Sequence, residues 1–189
     1  MNPIDNRNQV LQNELLHNLE YNKRSLAPPI QNTPPSLERE YYIVIDSNCV
    51  NGNTNKYKVD LEHPLKDIKS ITLTNATIPK PSNGNSANEH HIYLHFEEFS
   101  IFKSTGFYEN GVFKSCEGAD NCFANIALNC DPGSNYYFSE DSPCTIKFKT
   151  SKSMLSSLNA SWKERDGSLF DFDGDHHNLT LKIVCGVDI

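Results

Sequence analysis

The side chains best suited to hold a metal or move a proton are seven histidines and 24 acidic residues, and some of them fall into three groupings. His95-Phe96-Glu97 with the distant His176-His177 has the ligand types of a facial-triad iron centre, two histidines and a carboxylate. The local pattern argues against it. Residues i and i+2 of a strand share a face, so His95 and Glu97 fall beside His91 and Tyr93 on an outward face. Ile92, Leu94 and Phe96 make the inward one. The second grouping, Asp171, Asp173 and Asp175, resembles the start of a calcium loop, but its twelfth position is Lys182 instead of a bidentate glutamate. A hairpin turn at Asp173-Gly174 accounts for these carboxylates more simply. The third, Glu89-His90-His91 with Glu97-Glu98, has paired carboxylates of the kind used in glycoside hydrolysis. Adjacent strand residues point to opposite faces, so a solvated strand is expected there.

The chain contains no nucleophile elbow, phosphate-binding glycine loop, zincin helix or dinucleotide fingerprint. Its six cysteines include no CxxC pair, and the spacings from Cys116 to Cys122 and from Cys122 to Cys130 are too wide for a zinc knuckle. Free or buried thiols in a reducing compartment are expected. Three N-x-S/T sequons, at Asn75, Asn159 and Asn178, are what 22 asparagines give by chance. The sequence therefore predicts no enzyme, no catalytic or metal-binding residues and no cofactor, and it points to binding or architecture.

The elements that position these residues come from a chain of 189 residues, enough for one domain with some length to spare. Hydrophobic residues make up 37%, which predicts a modest core with polar loops or a tail. A net charge of −7 disfavours a sequence-independent grip on nucleic acid. No stretch reaches the ~18 apolar residues of a membrane span, and the first residues lack the pattern of a secretory signal.

Residues 1–40 read as an arm. Val10, Leu11, Leu15, Leu16 and Leu19 recur along one side of a short helix, which is expected to form only when docked on a partner; a disordered tail is the alternative reading. Pro28, Pro29, Pro34 and Pro35 then make an extended linker. From Tyr41 onward the period falls to two. Tyr57, Val59 and Leu61 alternate with Lys58 and Asp60, and Leu179, Leu181, Ile183 and Cys185 share a face. Further strands are predicted at 41–47, 68–78, 90–99, 123–129, 145–149 and 161–165. They are punctuated by Asn51-Gly52, Asn83-Gly84, Asn110-Gly111, Asp166-Gly167 and Asp173-Gly174. FYENGVF at 107–113 is the strongest hairpin signal. Pro64-Leu65 and Ile78-Pro79 are expected to end strands, since proline cannot donate to a ladder. Leu155 to Leu158 are expected to form a corner. About eight strands in 41–189, without long helices, predict an all-β sandwich or jelly roll.

Two stretches carry a more specific resemblance. The first is YKVDLEHPLKDIKSITLTNATIPK, through Val59, Leu61, Pro64, Leu65, Ile68, Ser70, Ile71, Leu73, Ala76, Ile78 and Pro79. The second is LSSLNASWKERDGSLFDFDGDHHNLTLKIV, through Leu155, Leu158, Asp166, Gly167, Leu169, Phe170, Asp171, Phe172, Gly174, His177, Leu181 and Ile183. Together with HIYLHFEEF, they resemble small single jelly-roll virion proteins of giant nucleo-cytoplasmic large DNA viruses. The resemblance covers roughly 41–185. It departs at Trp162-Lys163-Glu164-Arg165, where an apolar alternating strand is usual, and at His176 before His177.

The resemblance implies a jelly roll of about eight strands and a structural role as a minor capsid or penton (vertex) protein of a large icosahedral virus. It implies location in the virion after synthesis in the host cytoplasm. Expected partners are other capsid proteins, namely the major capsid protein and neighbouring minor subunits, with a pentamer if the position is a vertex. The leucine side of the arm would clamp a neighbour, and the loops at 79–90, 100–121 and 130–143 would make lateral contacts. The rival reading is a lectin-like or fibre-associated module that stacks Phe107, Tyr108, Tyr136 and Tyr137 on sugars.

Overall fold

The computed structural model describes residues 37–99, 106–110, 112–115, 117–139 and 143–187. Residues 1–36, with Val10, Leu11, Leu15, Leu16 and Leu19, lie outside the described residues, as do Cys116 and the side chains of Phe107 and Tyr108; residues 38–40, expected in the arm, instead begin the first strand.

Ten strands form among the described residues, and the alternation that predicts the main ones sets their burial. They are β1 (Glu38–Asp46), β2 (Asn51–Asn53), β3 (Lys56–Pro79), β4 (His91–Phe96), β5 (Gly106–Glu109), β6 (Val112–Ser115), β7 (Ala124–Ala127), β8 (Asn135–Phe138), β9 (Cys144–Lys163) and β10 (Asn178–Gly186). Eight belong to one antiparallel sheet in the order β1-β10-β3-β9-β4-β7, with β2 and β8 added on β3. β5 and β6 form a separate two-stranded hairpin around Asn110, whose φ of 52° suits the tight turn its sequence predicts. β10 is the cleanest case: Leu179, Leu181, Ile183 and Cys185 are buried and alternate with half-exposed Thr180, Lys182 and Val184. Inward residues of β1, β3, β4, β7, β9 and β10 meet in one core. The sheet therefore curls so that one face packs upon itself.

Two long strands do the curling, and here the structure corrects the sequence reading. The segments expected at 57–61 and 68–78 are a single strand, β3; those at 145–149 and 161–165 are likewise parts of β9. Pro64 does not end a strand. Between the pairs Asp60↔Ser157 and Leu65↔Leu155, residues 61–64 of β3 face only Ser156 of β9. Exposed Pro64 therefore sits in a bulge where the ladder asks no amide of it. A second irregularity sets residues 148–151 of β9 against Lys69 alone. Bulges bend and twist a strand, so these two allow β3 and β9 to follow the curl. Leu155 and Leu158 are buried within the continuous β9 instead of turning a corner. Pro79 does end β3. Asp173-Gly174, with φ of 55° and 80°, is a tight turn closed by Asp175 N–H on the Phe172 carbonyl at 3.0 Å. It lies in the irregular connection before β10, not between two strands.

A buried polar cluster closes one end of the core. Trp162 is fully buried and His177 is 2% exposed. The indole Nε1–H donates to His177 Nε2 at 2.8 Å, and the Tyr57 hydroxyl lies 2.9 Å from the same nitrogen. An indole N–H can only donate, so Nε2 must carry the lone pair and the proton must be on Nδ1. That Nδ1 is buried with no partner among the described residues. His177 also fixes the backbone: its N–H donates to Ser47 Oγ and its carbonyl accepts from Ser47 N–H, both at 3.0 Å. Burial raises the Tyr57 hydroxyl pKa and pushes the His177 imidazole down to about 4.

Candidate functional site

The structure separates the residues of the first sequence grouping. His95 pairs with Ser161 and Leu94 with Trp162 across β4 and β9. Paired residues share a face and neighbours alternate. His95 therefore lies on the opposite side of the sheet from Trp162, against which His177 packs at 5.0 Å between ring centroids. His95 and His177 cannot bind one metal ion. The side expected to be open is also covered: His95 is 8% and Tyr93 6% exposed. The sequence showed which way these residues point but not what lies over them.

The cover is the turn around Gly118 and the segment following β9. His95 Nε2–H donates to the Gly118 carbonyl at 2.7 Å, and Gly118 N–H donates to the Arg165 carbonyl at 3.2 Å. A Cβ at Gly118 would stand 1.7 Å from the Glu164 carbonyl oxygen, so only glycine fits. Gly118→Ala is expected to cost about 1–3 kcal/mol by overpacking and to expose His95, as measured by urea unfolding and His95 ring NMR shifts. Unchanged values of both would contradict this packing.

Glu164, part of the departure from the expected apolar strand, has a structural use. It is 9% exposed, and its carboxylate accepts from the Ser86 hydroxyl. Ser86 Oγ in turn accepts from Asp171 N–H at 3.0 Å. The loop at 79–90 is thereby tied to the 164–171 segment.

On the same face runs a row across three strands, Lys56 of β3, Ser161 of β9 and His95 of β4. With Glu97, Lys163 and Leu169 they line an open cleft of about 680 Å³. Burial lowers the His95 pKa, and its bond to Gly118 leaves Nδ1 as an acceptor. These are residue types that transfer protons, but no hydrogen bond joins Ser161 to His95. The contact that activates a serine nucleophile is thus not made.

The other candidate residues serve local structure. Asp171 Oδ1 accepts from Asp173 N–H at 2.9 Å, while Asp171, Asp173 and Asp175 are all exposed. Glu97 is exposed, whereas the Glu98 carboxylate accepts from Asn159 N–H at 3.0 Å and from its Nδ2–H at 2.8 Å. His91 Nδ1 bonds Asn125 Oδ1 at 3.1 Å. Among the described residues, no group of three or more His, Cys, Asp or Glu side chains is gathered to hold a metal ion. Cys49, Cys130, Cys144 and Cys185 are unpaired thiols, and burial raises the last three. No described helix is long and apolar enough to cross a membrane.

Tyr136 and Tyr137, expected in a loop, are on strand β8, paired with Ile78 and Thr77. They point to opposite faces: Tyr136 packs against the core and Tyr137 is 71% exposed. They cannot stack together on one sugar.

Two large apolar side chains are exposed side by side on the outer face of β1. Its inward residues Tyr41, Ile43 and Ile45 pack on the core, while Tyr42 is 58% and Val44 71% exposed. Leu37 and Val187, joined by a 2.9 Å backbone bond, are also exposed but continue the inward-facing parity at the far end of the β1–β10 pair. Among the described residues β1 pairs only with β10, and its other edge makes no ladder bond with any of them. Sequence alternation marks Tyr42 and Val44 as outward. It does not reveal that β1 lies at an edge, which depends on long-range pairing. Comparison of the chain with protein-family models and with curated proteins finds no match.

Proposed function

We propose that this chain is a structural virion protein, a single jelly-roll domain that serves as a minor capsid or penton component of a large icosahedral DNA virus. The observation that carries this reading is β1, a nine-residue edge strand with exposed Tyr42 and Val44. Natural sheets usually shield such an edge with lysine, proline or a bulge, because an open strand recruits another chain. Here the outer face carries Glu38, Glu40 and Asp46 at its ends and apolar residues at its centre. That arrangement suits strand-to-strand contact with a neighbouring subunit, steered by the charged ends. The continuous core behind it gives the rigid body a shell subunit needs. The sequence resemblance supplies the viral setting, and a repeated head-to-tail contact of this kind closes into a ring.

The reading is tested by sedimentation of the full-length chain beside Tyr42→Lys/Val44→Lys. These side chains point away from the core, so thermal unfolding should shift little. Self-association should weaken at least ten-fold. Association unchanged by the two lysines, or a wild-type chain that is monomeric at every concentration and captures no capsid subunit, would overturn it.

A further inference from the structure

We propose that the cleft at the end of β3 is a carboxylate-binding site built on Lys80. Lys80 follows Pro79 and is locked by two backbone bonds, its N–H to the Ser134 carbonyl at 2.9 Å and its carbonyl from Gly133 N–H at 2.8 Å. The residue is 4% exposed, whereas lysine almost always keeps its ammonium in water. Its Nζ donates to the Cys130 carbonyl at 3.1 Å. That bond uses one of the three ammonium donors. No carboxylate among the described residues comes within ion-pair distance of Lys80. A buried charge is costly unless it is paired and its donors are filled. The other two N–H groups therefore call for an acceptor, best an anionic one.

The surroundings suit that acceptor. Lys80 and the Cys130 that accepts from its ammonium line a cleft of about 510 Å³, together with Asn88, His90, Asn129 and Asp131. The side chains of Asn88, His90 and Asn129 are exposed and make no hydrogen bond among the described residues. Two amides and an imidazole are thus available to donate to the same ligand. Asp131 sets its charge: with one lysine and one aspartate lining the cleft, a singly charged carboxylate is favoured over a dianionic phosphate. This site is independent of the β1 edge.

The test is a titration of the ¹⁵N-labelled full-length protein with sodium acetate, with phosphate, and with chloride at matched ionic strength. Acetate is expected to give saturable shifts confined to the amides of Lys80, Asn88 and Cys130–Ser134, and Lys80→Met should weaken this binding at least ten-fold. Because burial makes Lys80→Met a folding risk, Asn88→Asp is the second variant. It leaves the lysine in place and sets a carboxylate beside the cleft, so it too should abolish saturation. Shifts that follow ionic strength alone, that saturate with phosphate but not acetate, or that persist in Asn88→Asp would overturn the assignment.

Discussion

Trp162→Ala is expected to destabilise the fold by about 4 kcal/mol, within the range for deleting a buried aromatic side chain. Trp162 is the only tryptophan in the chain and is fully buried. It meets Phe172 edge-on at 6.0 Å and His177 at 5.0 Å between ring centroids. Its removal leaves a cavity and also deprives His177 Nε2 of its 2.8 Å donor, so a packing loss and a polar loss add. Domains of this size are stable by only about 5–15 kcal/mol, so the variant should be largely unfolded under mild stress. Trp162→Phe separates the two contributions. It refills most of the volume, and the Tyr57 hydroxyl at 2.9 Å still serves Nε2. About 1–2 kcal/mol is therefore expected, in line with one lost hydrogen bond and a small void. Urea unfolding followed by circular dichroism measures both variants without relying on the deleted fluorophore. Equal costs for alanine and phenylalanine would contradict the packing described.

Acid should weaken the same cluster. An unfolded histidine titrates near 6.5, whereas His177 in the fold is pushed down to about 4, chiefly because burial penalises its charged form. Between these values the unfolded chain binds the extra proton, so stability rises with pH and falls as the solution is acidified. The loss begins as pH drops through 6.5 and is complete below about 4. It amounts to about 3 kcal/mol at 1.36 kcal/mol per pH unit. The geometry gives the reason: a proton on Nε2 would face the indole N–H at 2.8 Å with no acceptor between them. The lowered pKa of His95 acts in the same direction. His177→Gln offers an amide oxygen to the indole and removes the titration. It should be less stable than the parent at pH 7 yet lose less on acidification. An unaltered slope between pH 6.5 and 4 would show that His177 is not the group responsible.

Which features were legible in the sequence follows from the range of the interactions behind them. Alternation is local, so Leu179, Leu181 and Ile183 identified β10 and its buried face directly. The Asn110 turn also needed only its own neighbours. Pro64 misled because the rule that proline ends a strand assumes a regular ladder. The bulge against Ser156 depends on a partner about ninety residues away. His95 was placed on the correct side of β4, but its cover comes from Gly118 and Glu164, which no local pattern connects to it. No local pattern marks Lys80 as buried, because the 130–134 loop that holds it is about fifty residues away. Glu164 interrupted an apolar pattern, and its partner Ser86 lies in the loop between β3 and β4.

The central claim, that β1 joins this chain to a neighbour through its open edge, is tested most directly by hydrogen exchange at the β1 amides. The exchange is followed in the full-length protein below and above its association concentration. Successive amides of an edge strand point alternately toward and away from the sheet, and the outward-facing ones between Glu38 and Asp46 make no ladder bond among the described residues. The account predicts that these amides gain protection of at least ten-fold on association while those of β10 stay as they were. Association that leaves the outward β1 amides exchanging at the monomer rate would contradict it.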